Sequence, residues 1–221
     1  MKLNPINLAE AARYMGVQGT AEGQILELLE RADALVREKI SPKYTYRVSE
    51  IRTMEEGVYF GEISRHFSGN DLKKHLAGCT RAVILAATLT SEADKLIRQA
   101  QVESTAFALA VDCVCSAAIE QVCDRAEEEI FGRLDMPYRT WRFSPGYGDL
   151  PIDTQNDVLY HLNASRLIGL TVSGSCMLIP SKSVTAIIGI SDSPPTNGAR
   201  GCAICSMRES CAFSRNGGCQ K

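Results

Sequence analysis

Apolar residues recur at helical spacing from Ala21 to Ile40, where Ile25, Leu28, Leu29, Ala32, Leu35, Val36 and Ile40 form one stripe. The stripe predicts a helix, ended by Pro42, because proline disfavours helical backbone in the residue before it. The pattern then shifts to alternation. Lys43 to Arg52, with Tyr44, Tyr46, Val48 and Ile51, reads as a strand, and Val58 to Ile63 is expected to pair with it across Glu55-Glu56-Gly57. Ser68 to Leu76 reads as a short helix closed by Gly78. Arg81 to Leu89 is a continuous β-branched and apolar run, expected as a central strand. Ser91 then stands as an N-cap with Asp94 three residues on, opening helices over Ser91 to Gln101 and Ser104 to Leu134. Asp135 to Pro137 breaks the pattern.

Ile152 to Leu162 predicts another helix. Leu170 to Ile179 and Ser183 to Ile190, separated by Pro180-Ser181-Lys182, predict a β-hairpin. Strands and helices mix without a strict βαβ repeat. The expected class is therefore α+β, a largely antiparallel twisted sheet with flanking helices, rather than a doubly wound fold. Along the chain this gives an N-terminal helical segment over 1–42, a main domain over 43–192, and a linker and Cys-rich tail over 193–221, opened by the SPPTNGARG stretch.

Composition narrows the function classes. The chain has 221 residues, 45% hydrophobic and 23% charged, which suits a globular protein with a sizeable core. A formal net charge of −2 gives no basic footprint for nucleic acid. The start, MKLNPINLAE, has no apolar signal region, and the plainest apolar run, Ala82 to Ala87, is too short for a bilayer, so a cytoplasmic protein without a membrane partner is expected. Five of the nine cysteines (Cys79, Cys113, Cys115, Cys123 and Cys176) are scattered and expected to be reduced.

Two places carry candidate chemistry. Cys113, Ala117, Glu120 and Asp124 follow at steps of four, three and four, so they share a face of the long helix, opposite Phe107, Val111, Val114, Ala118 and Val122. Small neighbours beside Glu120 leave room for a ligand whose ammonium the carboxylate takes; the alternative is a solvated acidic face. Second, Arg142 precedes a turn at Pro145-Gly146. An arginine can hold a carboxylate through two parallel hydrogen bonds, and Tyr147 adds an aromatic face and a hydroxyl. Alone, that pattern also fits a structural turn, and no strand–GxGxxG–helix context surrounds it to suggest a dinucleotide site.

The stretch Arg142 to Pro151, RFSPGYGDLP, is similar to the Arg-x-x-x-Pro-Gly-Tyr motif of the activation (reactivation) domain of cobalamin-dependent methionine synthase. The likeness extends from about Tyr44 to Ile190. It implies an S-adenosylmethionine-binding domain in free-standing form. By position, Arg142 would hold the methionine carboxylate and Glu120 would face the amino or sulfonium group. Ser144, Pro145, Gly146 and Tyr147 would line the adenosine pocket, and Ser173 to Met177, with Ser175, another wall. The fused domains carry tyrosines where this chain has Ser175 and Cys176, and a different trio at Gly148-Asp149-Leu150. Their N-terminal acidic contact has no counterpart that can be placed. In that family S-adenosylmethionine methylates the reduced corrinoid during repair, so the protein's task is orientation rather than acid–base catalysis. The chain lacks an Asp-x-His-x-x-Gly cobalamin motif, and none of His66, His75 and His161 has that context. The resemblance thus implies cobalamin supplied by a partner methionine synthase lacking its own activation domain, and a flavodoxin- or ferredoxin-type electron donor. Another corrinoid methyltransferase is an alternative partner.

Cys202, Cys205, Cys211 and Cys219 form C-x2-C-x5-C-x7-C. Four thiolates suit zinc or an iron–sulfur cluster, though the later spacings match no standard run, and a reduced tail fits as well. A metal- or redox-binding protein acting through this tail is the competing functional class.

Overall fold

The computed structural model describes residues 1–61, 63, 65–134 and 138–194. The four tail cysteines and the Asp135 to Pro137 break lie outside the described residues. The chain is α+β. A five-stranded antiparallel sheet is built from β1 (Lys43–Thr53), β2 (Val58–Phe60), β3 (Arg81–Thr88), β4 (Tyr138–Arg139) and β7 (Ser183–Ser191), in the order β2-β1-β3-β7-β4. Two short strands, β5 (Thr171–Val172) and β6 (Leu178–Ile179), pair separately. The helices are α1 (Leu8–Tyr14), α2 (Gly23–Lys39), α3 (Asn70–His75), α4 (Ser91–Glu103), α5 (Thr105–Leu134), α6 (Thr154–His161) and α7 (Ala164–Ile168).

The chain divides into two compact units, and β1, β3 and β7 contribute residues to both. The first comprises Met1–Thr45, Ala86–Arg133 and Asn163–Val184. Its core gathers Leu29, Ala32 and Val36 of α2 with Ala93 and Leu96 of α4 and with Val111, Val114, Ala118 and Val122 of α5. Within α2, Asp33 is buried, and its carboxylate is compensated by Arg37 Nε at 3.0 Å and the Ile6 amide at 3.1 Å. α5 is long and apolar enough to cross a bilayer, a property the short run at Ala82 to Ala87 did not suggest. Of its most apolar stretch, 67% is buried inside the protein, which is how a core helix behaves. The second unit comprises Tyr46–Leu85, Leu134–Leu162 and the chain from Thr185 to the last described residue. Phe60, Phe67, Leu72, Leu76, Ile84, Leu85 and Leu150 form its fully buried interior.

Three local expectations are corrected. Leu170 to Ile179 does not pair with Ser183 to Ile190. It folds back on itself as Thr171↔Ile179 and Val172↔Leu178, while β7 joins the main sheet, where Leu89 donates to the Lys182 carbonyl at 2.9 Å. The polar turn Ser173 to Cys176 allows this, and Pro180 has no N–H to continue a ladder. Ser181 and Lys182 then anchor the crossing: Ser181 bonds to Asp94, and Lys182 Nζ lies 2.9 Å from both Asp112 Oδ1 and Ser116 Oγ. Ser91 is not the cap of α4; Thr90 is, without a side-chain cap bond, and Asp94 is committed to Ser181. The second strand of the first hairpin ends at Phe60, its four-residue turn closed by Met54 N–H to Gly57 O at 2.9 Å.

Thr90 has φ 65° and ψ 175°, a region costly for a β-branched residue. Its amide is held by Thr88 Oγ1 at 2.9 Å, which in turn accepts from Ser183 Oγ at 2.8 Å. Replacing Thr90 by glycine removes the Cβ strain while keeping that backbone bond. The Thr90→Gly protein is expected to gain about 1 kcal/mol in a urea melt, the relief of strain exceeding the entropy that glycine adds to the unfolded chain. A loss of stability would show that the surroundings, not the backbone, dominate there.

Candidate functional site

The segment carrying Arg142 is fixed by backbone pairing with β7. Tyr138↔Ser191 and Arg139↔Ile190 are in antiparallel register, and Thr140 continues it by donating to the Gly189 carbonyl at 3.0 Å. Phe143 then pairs with Ile187 through two reciprocal bonds of 3.0 and 2.8 Å. Three steps from Thr140 to Phe143 match only two from Gly189 to Ile187. Trp141 and Arg142 therefore both oppose Ile188, which is a β-bulge. Bulges re-aim side chains and concentrate beside functional sites. Arg142 is half-buried there.

The loop that follows closes on itself. Tyr147 N–H donates to Ser144 O at 3.0 Å, with Pro145 and Gly146 as the central residues. Gly146 has φ 88°, the positive value that the third position of a type II turn requires. Leu150 N–H donates to Tyr147 O, and Gly146 N–H to Leu150 O, both at 3.0 Å. Pro145 and Leu150 are buried, Ser144 is half-buried, and Tyr147 is 52% exposed. A Cβ on Gly148 (φ 52°) would come too close to the Asp71 carboxylate, so that side chain would have to shift, and the left-handed backbone itself favours glycine.

Two residues outside the motif hold this loop. Asp149 caps α3: its Oδ2 accepts from Asn70 N–H at 2.7 Å and its Oδ1 from Asp71 N–H at 3.0 Å. Partial desolvation raises its pKa, but the amides of Asp71 and Asn70 and its own amide outweigh that, leaving it below the ordinary aspartate value. At the other end of α3, His75 is 7% exposed, with Nε2 2.8 Å from Thr140 Oγ1. Its ring lies 4.6 Å from that of Trp141 and 5.0 Å from that of Phe143, and Phe143 lies 6.0 Å from Tyr147. Burial pushes its pKa down to about 4, against a smaller upward pull from a backbone hydrogen bond with Trp141. The sequence marked His75 only as lacking a cobalamin-ligand context and Asp149 only as a departure from a motif. The aspartate two residues past the Tyr147 turn was the available signal, but nothing in the chain order tied it to Asn70.

The remaining sequence candidates lie in the first unit. Glu120 is half-buried on α5, and Asp124 is exposed. Cys113 and Ala117, on the same face by spacing, are each 3% exposed. Ser175 is exposed at the β5–β6 turn, its Oγ 2.9 Å from that of Ser173. Residues 142 and 144–147 are thus brought together in one loop of the second unit, whereas Glu120 and Ser175 belong to the first. A recess of about 240 Å³ lined by Met1, Pro42, Lys43, Tyr44, Leu167 and Ile168 contains none of these candidates. Cys113, Cys115 and Cys123 are buried, and none of the five body cysteines is in a disulfide among the described residues. Among the described residues, no group of three His, Cys, Asp or Glu side chains is placed to hold a metal.

The histidine has a measurable consequence. Its folded-state pKa of about 4 lies below the ordinary 6.5, so the unfolded chain binds the proton more readily. Stability from this group is full above pH 6.5 and declines as pH falls from there to about 4, a loss of roughly 3 kcal/mol across the window. Asp149 adds a further decline at lower pH, as its depressed pKa is crossed. Denaturant melts at pH 7, 5.5 and 4 should show the first loss, and His75→Phe should flatten it. An unchanged slope in that variant would assign the acid sensitivity elsewhere.

No family model matches the chain, and no curated protein matches it by sequence. Comparison with solved structures finds a likeness described as "Crystal Structure of the MetH Reactivation Domain bound to AdoHcy". The match has a TM-score of 0.67 at 12% sequence identity and covers 89% of this chain and 76% of that one. The five-stranded antiparallel sheet with its flanking helices is therefore the fold of that reactivation domain.

Proposed function

We propose that this protein binds S-adenosylmethionine and presents its methyl group for reductive methylation of cobalamin held by a partner methionine synthase that lacks its own activation domain. The observation that carries this reading is the fold shared with a reactivation domain whose structure holds AdoHcy. The Arg142 bulge and its self-closed loop supply the chemistry such a ligand needs. S-adenosylmethionine contributes the transferable methyl group on its sulfonium. The protein contributes orientation. Arg142 takes the ligand carboxylate through parallel N–H bonds. Ser144, Pro145, Gly146 and Tyr147 flank the adenosine, with the exposed Tyr147 ring as a stacking surface. By the resemblance, Glu120 faces the ligand's amino or sulfonium group and Ser175 lines a pocket wall.

The electron donor in this reading is a flavodoxin or ferredoxin, and the Cys202, Cys205, Cys211 and Cys219 set is a candidate zinc knot or iron–sulfur relay. Iron, sulfide and zinc assays after anaerobic purification decide between those two. Calorimetric titration of the full chain tests the central claim. Saturable binding of S-adenosylmethionine and AdoHcy is expected, and Arg142→Ala should weaken both by about 1.5–3 kcal/mol, the value of a hydrogen bond to a charged group. Deleting 193–221 should leave binding intact. A wild-type chain that binds neither ligand would sink the proposal. Loss of all function with the tail alone would favour the metal- or redox-binding reading.

A further inference from the structure

We infer that helix α3 is the splint that fixes the Arg142 loop in its ligand-holding form, with Asp149 and His75 as positioning residues at its two ends. The inference rests on the proposed ligand-binding role of the loop. A helix of six residues does not persist alone, since nucleation costs more than so few bonds return. α3 is retained because both ends are tied. At its start, the Asp149 carboxylate satisfies two amides that have no partner within the helix. At its finish, His75 wedges into the ring cluster of Trp141 and Phe143 and approaches Thr140 Oγ1, while Leu72 is fully buried.

The two ties grip the loop on opposite sides of Arg142. Trp141 is its immediate neighbour in the bulge and Phe143 the first residue after it. Asp149 stands at the far end, where the Gly146, Tyr147 and Leu150 amides close the turns. One rigid element of under two helical turns therefore sets the separation of the loop's two limbs. Were α3 to loosen, the Phe143–Ile187 pair would still hold the base, but the limb carrying Tyr147 would lose its outer support.

The test uses the full chain with Asp149→Asn and His75→Phe. Amide exchange should accelerate by about tenfold or more at Gly146, Tyr147 and Leu150, while β3 amides stay protected, as expected for local rather than global opening. Emission from Trp141, the chain's one tryptophan, should change in His75→Phe. AdoHcy affinity should fall by about fivefold or more in each variant. On a Tyr147→Ala background the same changes should cost less than about twofold, because their effect is transmitted through the limb that carries that side chain. Variants that fold, keep wild-type exchange in the loop and bind normally would overturn the splint. Should the wild-type chain bind no AdoHcy, the proposed function fails, and loop exchange still decides the splint. If His75→Phe does not fold, Asp149→Asn, at an exposed position, decides the splint by the same two measurements.

Discussion

The reciprocal hydrogen bonds between Phe143 and Ile187 are the constraint on which the arginine loop depends. Below them, β4 and β7 are in regular antiparallel register; above them, the chain leaves the sheet. Because one residue more is used on the loop side than on β7, the mismatch falls on Trp141 and Arg142. An apolar ring and a guanidinium thus leave the same stretch of strand. The ring packs against His75 and Phe143, and Arg142 is half-buried two residues before the turn. A regular strand would have placed these two side chains on opposite faces.

His75 and Asp149 carry lowered pKa values for opposite reasons. The histidine is depressed because burial disfavours its charged form, and its ring serves as one more aromatic edge in a packed cluster. The carboxylate is depressed because its charged form is wanted by two backbone amides. Acidification weakens both ends of α3, one by forcing a charge into the cluster and the other by removing one from the cap.

Periodicity made much of the fold legible. α2 and α4 carry apolar stripes at the helical period, α5 is a long stretch apolar on most of its faces, and β3 is a short run too apolar for an exposed strand, so their type was readable from pattern and length. The β5–β6 hairpin was not. Leu170 to Ile179 and Ser183 to Ile190 are both apolar, and pattern does not say which of two apolar runs a strand will pair with; the Asp94–Ser181 and Lys182–Asp112 ties that direct the crossing come from residues distant in the chain. The cap at Thr90 was hidden for a related reason: Ser91 has the better side chain for it, but the strained backbone one residue earlier sets the helix start. At the candidate site the turn at Pro145-Gly146 was readable, since those residue types select the geometry. The bulge was invisible, because an extra residue has no composition. Glu120 shows a mixed case: on the face that spacing gave it, Cys113 and Ala117 are buried, while Glu120 is half-buried and Asp124 exposed.

The trio Gly148-Asp149-Leu150, where this chain departs from the fused domains, is internally consistent. Gly148 is required because its backbone turns left-handed against the Asp71 side chain. Asp149 is required because the amides of Asn70 and Asp71 face it. Leu150 is 2% exposed, and its backbone both donates to Tyr147 and accepts from Gly146. A side chain in place of the glycine would meet the Asp71 side chain, next to the backbone amide that Asp149 caps. Three neighbouring residues thus close this loop together, through a left-handed turn, a helix cap and a pair of backbone bonds.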